Sequence, residues 1–235
     1  MIDPTARSGR HRGPWPDRVC SHGAVPQWSI VVPAKRLAVA KTRLRPLTAA
    51  LGGPAHDELV LALLTDTVAA AVSCPAVAEV LVVTDDPAAA DAVRPLGVRT
   101  LPDEPDRGLN PALEHGASHA VGDAVAALSS DLPALRPAEL AAALAAAAVA
   151  PRCFVPDVHG TGTTLLTAVG TALRPRFGTG SAQAHRDGGA VPLTGAWPGL
   201  VRDADTPGNL RDALALGVGP RTAAFARRLE LHAPR

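Results

Sequence analysis

The chain has 235 residues, of which 47% are hydrophobic and 19% charged, with a formal net charge of +1. This balance fits one globular domain, or at most two small ones, and excludes a general polyanion-binding surface, which needs a clustered basic excess. No apolar stretch of about 18 residues escapes charges, and the alanine-rich run 141–150 is too short to cross a bilayer, so a soluble protein without a membrane span is expected. Aromatics make up 3% and tyrosine is absent, so Ala, Val and Leu must build the core, with Phe154, Phe177 and Trp197 as rare large pieces.

Cys20, Cys74 and Cys153 are scattered without a C-x-x-C spacing, which argues against a disulfide framework or a structural zinc and suits a reducing cytoplasm. Residues 1–27 are rich in Pro, Arg, Gly and His and lack the apolar centre of a secretory signal; they read as a disordered leader. A single domain is expected over 28–220, followed by a basic, marginally helical tail over 221–235.

In chain order, Trp28-Ser-Ile-Val-Val-Pro33 reads as a buried first strand. A loop dense in positive charge, with Lys35, Arg36, Lys41 and Arg43, leads into an amphipathic helix over about 54–72. A strand over 79–84, a helix over 87–95 and a short strand over 98–101 follow. After a polar loop at 102–108, a helix over 110–121 leads to a strand at 124–128 that ends in Ser129-Ser-Asp131-Leu-Pro. Pro137 suits the first turn of an alanine-rich helix that stops by Pro151. Strands are expected at 152–156 and 163–167, flanking the glycine loop His159-Gly-Thr-Gly-Thr163. The aperiodic stretch 177–189 reads as a binding loop, and 199–201 as a short strand ending in Asp203-Ala-Asp205. Thr206-Pro207 then caps and opens a last helix to about Leu216. This alternation predicts an α/β fold: a mostly parallel sheet flanked by helices in a Rossmann-like single domain.

In such a sheet, ligands collect at the carboxyl ends of the strands, where the basic loop, Asp131 and Asp203 all fall. A triphosphate with Mg²⁺ needs cationic side chains for its oxygens and one or two carboxylates for the metal. Lys35 and Arg43 would offset charge in phosphoryl transfer, while Asp131 and Asp203, with Asp205 as companion, would hold the metal. Each feature has a plainer reading. Asp131 could serve as a turn former, Asp205 could help cap the last helix, and the basic loop could be a solvated surface. The 159–163 loop is no P-loop, since no Gly-Lys-Ser/Thr follows, although its N–H groups could cradle an anion. In Phe177-Gly-Thr-Gly-Ser181-Ala-Gln-Ala-His185-Arg186, the glycines and Ser181 suit an acidic ligand; His185 by itself reads as a structural histidine.

Six ordered blocks resemble one family. They are Val32-Pro-Ala-Lys35 with Ala40-Lys-Thr-Arg-Leu44, Gly108-Leu-Asn-Pro-Ala-Leu113, Ser130-Asp131-Leu-Pro, Gly160-Thr-Gly-Thr163, Phe177-Gly178 to Ser181-Ala with His185, and Asp203-Ala-Asp205-Thr-Pro. From about Ser29 to Pro220 the chain is similar to the 2-phospho-L-lactate and phosphoenolpyruvate guanylyltransferases of coenzyme F-420 biosynthesis. The resemblance implies a nucleotide-diphospho-sugar-transferase-like fold, GTP as donor and two Mg²⁺ ions held by Asp131 and Asp203. It further implies that Thr163, Gly178 and Ser181 bind the phosphorylated three-carbon acid, and that Lys35, Lys41, Thr84, Asp85 and Asn110 lie at the nucleotide. The composition, typical of a GC-rich genome, tilts the acid toward phosphoenolpyruvate, with 2-phospho-L-lactate as the alternative. A homodimer and hand-off of product to the next pathway enzyme are compatible with this reading; a metal-dependent glycosyltransferase-like enzyme and a non-catalytic nucleotide-binding module stay open beside it.

Overall fold

A computed structural model describes residues 27–104 and 106–232. Of the expected leader only residue 27 falls within this range; Cys20 lies outside it. In chain order the elements are β1 (Trp28–Pro33), α1 (Arg45–Thr48), α2 (Ala55–Val72), β2 (Val77–Val83), α3 (Pro87–Val93), β3 (Arg99–Leu101), α4 (Leu109–Ser118), β4 (Ala124–Leu128) and α5 (Pro137–Ala146). Then come β5 (Arg152–Pro156), β6 (Thr163–Val169), α6 (Ser181–Asp187), β7 (Val191–Pro192), α7 (Pro207–Leu216) and α8 (Pro220–His232).

The strands form one sheet in the order β3-β2-β1-β4-β6-β5-β7. All pairings are parallel except those of β6, which runs antiparallel to both β4 and β5. The expected mixed, mostly parallel α/β sheet is therefore present. From β1 the chain turns first to β2 on one side and only later to β4 on the other, and this reversal opens a crevice at the carboxyl ends of β1 and β4.

Successive residues of β1 enter different cores, as the two-residue strand period requires. Ile30 and Val32 join Leu64 and Val68 of α2 and Leu140 and Leu144 of α5. Val31 packs with Leu113 of α4, Phe154 and Leu166 on the opposite face. Both faces are covered, which is why the central strands read as continuous apolar runs. Gly116 of α4 lets that helix settle on the sheet, because a Cβ there would come within 2.8 Å of Val83. Trp28 and Phe225 add to the large core pieces. Cys74 and Cys153 are buried free thiols. No described helix is long and apolar enough to cross a membrane.

The structure departs from the sequence reading in four places. Helix α2 is not an amphipathic surface helix, because its supposed outer face is also buried: Thr65, Asp66 and Thr67 are each at most 5% exposed. Its cover is α8, the segment read as a marginal tail, whose Phe225 packs with Leu59 and Leu63 of α2. Asp66 accepts the N–H groups of Arg221 (3.2 Å) and Thr222 (2.7 Å), satisfying the exposed donors of the first turn of α8. The aperiodic stretch after Phe177 holds the short helix α6, which a seven-residue length hides from pattern reading. No strand forms at 199–201. The N–H groups of Gly199 and Leu200 are spent on the Glu139 carboxylate (3.0 Å each), and Val201 accepts the Val158 N–H (2.8 Å), so no ladder is available there. The helix start at Thr206 matches expectation: its hydroxyl accepts the Asn209 N–H in a capping box.

Candidate active site

A cleft of about 910 Å³ opens at the carboxyl ends of β1 and β4. Its acidic floor comes from two loops. As β4 ends, the Ser129 N–H bonds to the Thr164 carbonyl (2.9 Å) and the Leu132 N–H to the Thr67 hydroxyl (2.8 Å), which leaves Asp131 between two anchors and 6% exposed. The second loop is pinned by Glu139 at its start. Gly199 is required there because a Cβ would run into the Ala134 carbonyl carbon (2.7 Å) and the Glu139 carboxylate (2.9 Å). One further bond joins the two loops: the N–H of buried Ala204 donates to the Asp131 carbonyl (2.9 Å). Ala204 sits between Asp203 and Asp205, so this bond brings both acids beside Asp131. Carboxylate oxygens of all three lie within 4.8 Å of one another.

Three carboxylates this close repel one another unless cations compensate. Lys41 bridges Asp131 and Asp205 through its Nζ. Burial alone would lower the Lys41 pKa, but the two carboxylate charges outweigh it and raise it. Asp205 is likewise pushed up by burial, yet the Lys41 charge and hydrogen bond hold it below the usual carboxylate range. Asp203 has no such partner. Burial, then the charges of Asp131 and Asp205, push it up to about 6. Lys41 reaches its position from a left-handed backbone conformation, φ 47°, which costs a non-glycine residue about 1 kcal/mol. Lys35 and Arg43 also line the cleft from exposed positions.

The opposite wall is built from Thr163, Gly178 and Ser181. Because β6 is antiparallel to its neighbours, Thr163 at its beginning faces the carboxyl ends of the others. Its hydroxyl lies 2.9 Å from His185 Nδ1, and His185 Nε2 accepts the Arg176 N–H (2.9 Å). Gly178 has φ 130°, open essentially only to glycine, and it turns the chain into α6.

Three expected nucleotide residues do not line the cleft. The Asn110 side chain instead clamps the Phe177 peptide, donating to its carbonyl (3.1 Å) and accepting its N–H (2.7 Å). The Thr84 hydroxyl accepts the Asp86 N–H (3.1 Å). Asp85 pairs with Arg36 (3.0 Å) and accepts the Asp103 N–H (2.8 Å); with Asp86, which accepts the Leu37 N–H (2.8 Å), it tethers the basic loop. Arg36 is thus turned away from the triphosphate-facing set and pairs as well with Asp106 (3.3 Å). Sequence reasoning missed Asp157, which lines the cleft after β5 as Asp131 does after β4, and Thr67 and Glu139, which hold the acid loops. A strand-end aspartate was the available signal for the first; nothing local marks the other two.

The family model described as "Guanylyl transferase CofC like" matches residues 28–189. The chain belongs to this family. It is 76% identical over 204 residues to a protein of Geodermatophilus obscurus named phosphoenolpyruvate guanylyltransferase, covering 86% of this chain and 95% of that protein. A protein of the same name from Salinispora arenicola is 55% identical over 199 residues, covering 83% and 92%. Among solved structures, a nucleotidyl transferase from Methanothermobacter superposes with a TM-score of 0.60 at 22% identity, over 86% of this chain and 99% of that one. A CMP:2-keto-3-deoxy-manno-octonic acid synthetase complexed with CTP does so with a TM-score of 0.54 at 17% identity, over 81% and 98%. The structural likenesses establish the shared fold; the family rests on the sequence matches.

Proposed function

We propose that the chain transfers GMP from GTP to phosphoenolpyruvate, giving enolpyruvoyl-diphospho-5'-guanosine and pyrophosphate, as a step of coenzyme F-420 biosynthesis. The observation that carries this reading is the 76% identity to the Geodermatophilus protein over nearly its whole length. At that similarity the reading as a glycosyltransferase-like enzyme has nothing left in its favour. The joint presence of three acids and a basic loop in one cleft speaks against a non-catalytic module.

The donor set fits a divalent cation such as Mg²⁺: hard carboxylate oxygens, close together, with the Asp203 charge uncompensated by any protein cation. Asp131 and Asp203, with Asp205 beside them, would hold it, and it would supply Lewis-acid stabilisation of charge on the phosphate oxygens. The remaining work falls to the chain's own residues. Lys35 and Arg43 meet the triphosphate, and Lys41 lies where it can exchange its carboxylate partners for phosphate oxygens. Thr163, Gly178 and Ser181 hold the three-carbon acid so that a phosphate oxygen points at the α-phosphorus. The new oxygen–phosphorus bond forms as the bond from the α-phosphorus to its bridging oxygen breaks, and pyrophosphate leaves. The nucleophile is already ionised near pH 7, so no general base is needed, and positioning with electrostatics supplies the rate.

Pyrophosphate release with Mg²⁺ tests this, using GTP or ATP paired with phosphoenolpyruvate or 2-phospho-L-lactate. Release that needs GTP and phosphoenolpyruvate is the expected result. Release with 2-phospho-L-lactate alone would reassign the acid, and silence in all four mixtures would refute the reading.

A further inference from the structure

The wall of the cleft opposite the acids contains a buried histidine that transfer chemistry has not used. His185 is 2% exposed and stands behind Thr163, itself 7% exposed. Both ring nitrogens are engaged. Nε2 receives the backbone N–H of Arg176 at 2.9 Å, and Nδ1 lies 2.9 Å from the Thr163 hydroxyl oxygen. A backbone N–H can only donate, so Nε2 must be bare. A cationic ring would set N–H against N–H at that position, so the ring is neutral and its single proton sits on Nδ1. The low pKa of His185, about 4 through burial and the nearby Arg176 charge, agrees with this but is not needed for it.

The consequence falls on Thr163. With Nδ1–H donating to it, the hydroxyl oxygen has one lone pair occupied, and its own proton is left to give away. Among the described residues no acceptor lies within reach of that hydroxyl other than the ring nitrogen that already donates to it. Phe154 and Phe177 pack against the imidazole, with ring centroids 5.8 and 5.1 Å away, and keep it from turning.

We infer that His185 is a positioning residue that fixes the Thr163 hydroxyl as a hydrogen-bond donor into the cleft, so that the acid subsite accepts an oxyanion oxygen and disfavours a ligand presenting a donor there. The inference rests on the proposed function in placing the phosphorylated acid against Thr163; the tautomer itself does not. It also gives the Arg176 amide a role: by donating to Nε2 it selects the tautomer, one bond removed from the ligand. A neutral, ligand-facing hydroxyl with a set direction suits a carboxylate or phosphate oxygen, because charge-assisted hydrogen bonds of this kind are about twice as strong as neutral ones.

Two experiments test it. In uniformly ¹⁵N-labelled wild-type protein, the His185 ring, assigned by its loss in H185F, is expected to show the neutral Nδ1–H pattern at pH 7 and still at pH 5.5. An Nε2–H tautomer or a cationic ring would overturn the inference whatever the activity. In steady-state assays, Thr163→Val and His185→Phe are each expected to raise KM for phosphoenolpyruvate about tenfold or more with KM for GTP unchanged, while Thr163→Ser keeps most of the affinity. The double variant T163V/H185F should be no worse than the poorer single one, since both remove the same directed bond. Multiplying effects, or an equal rise in KM for GTP, would overturn it. Wild-type protein that releases no pyrophosphate with GTP and phosphoenolpyruvate would instead defeat the proposed function, leaving the tautomer measurement to stand alone.

Discussion

Asp203 carries a charge that the fold does not compensate, and this makes its removal a sharp test of the site. In the folded chain its carboxyl is pushed up to about 6, by burial first and then by Asp131 and Asp205. In the unfolded chain an aspartate ionises near ~3.9. Between these values the folded state holds a proton that the unfolded state has lost, so raising the pH through this window destabilises the fold, and above about 6 the full penalty is present. Two pH steps of differential ionisation would amount to about 3 kcal/mol, and solvent screening of this partly exposed group reduces that to about 1–2 kcal/mol. Asp203→Asn keeps the size and removes the charge. In EDTA at pH 7.5 the variant is expected to melt above wild type by about 2–6 °C, since each kcal/mol is worth about 2–4 °C in a chain of this size. The gap should narrow at pH 5 and close near pH 4. With saturating Mg²⁺ the order should reverse, because only wild type has the full set of carboxylates, and turnover of the variant should fall about a hundredfold or more. A variant melting at or below wild type in EDTA at pH 7.5 would refute the argument that the three acids store repulsion for a cation.

Asn110→Ala should free the Phe177 peptide and loosen the Gly178 turn, raising KM for the acid about tenfold with little effect on KM for GTP; the opposite split would return Asn110 to the guanine base. Asp66→Ala orphans two N–H groups at the start of α8 and should cost about 2–4 kcal/mol in urea unfolding, with proteolysis beginning in the last helix. An unchanged midpoint would mean that α8 contributes little to the fold. Because His185 stays neutral to about 4 while an unfolded histidine takes up its proton near ~6.5, stability should decline as pH falls through that window. Arg176 and Arg186 beside the ring add to the resistance to protonation, and H185F should lack this part of the decline, as read by melts between pH 7 and pH 4.

What the sequence by itself determined is local or strand-terminal. The apolar runs of β1, β4 and β5 are bounded as the alternation of elements predicts, because central parallel strands are buried on both faces and turn residues mark their ends. The capping box at Thr206 is likewise a short-range hydrogen-bond pattern and was legible for that reason. Lys35, Lys41, Arg43, Asp131, Thr163, Gly178, Ser181 and Asp203 could be gathered into one cleft because ligand sites collect at strand carboxyl ends.

Only the tertiary structure decided the rest. Nothing near residue 199 in the chain reveals that Glu139, 60 residues earlier, takes its N–H, so a β-branched stretch read as a strand became a pinned loop. The burial of α2 depends on α8, more than 150 residues away, and periodicity within one helix carries no record of a second cover. Asn110 drew a role at the nucleotide from its block, but its amide is spent on the Phe177 backbone, a partner 67 residues on. The direction of the Thr163 proton depends on which nitrogen of His185 meets a backbone donor, and that is a matter of three-dimensional hydrogen bonding alone. Elements follow from short-range preference; the partners of polar groups follow from which distant segments the fold brings within 3 Å.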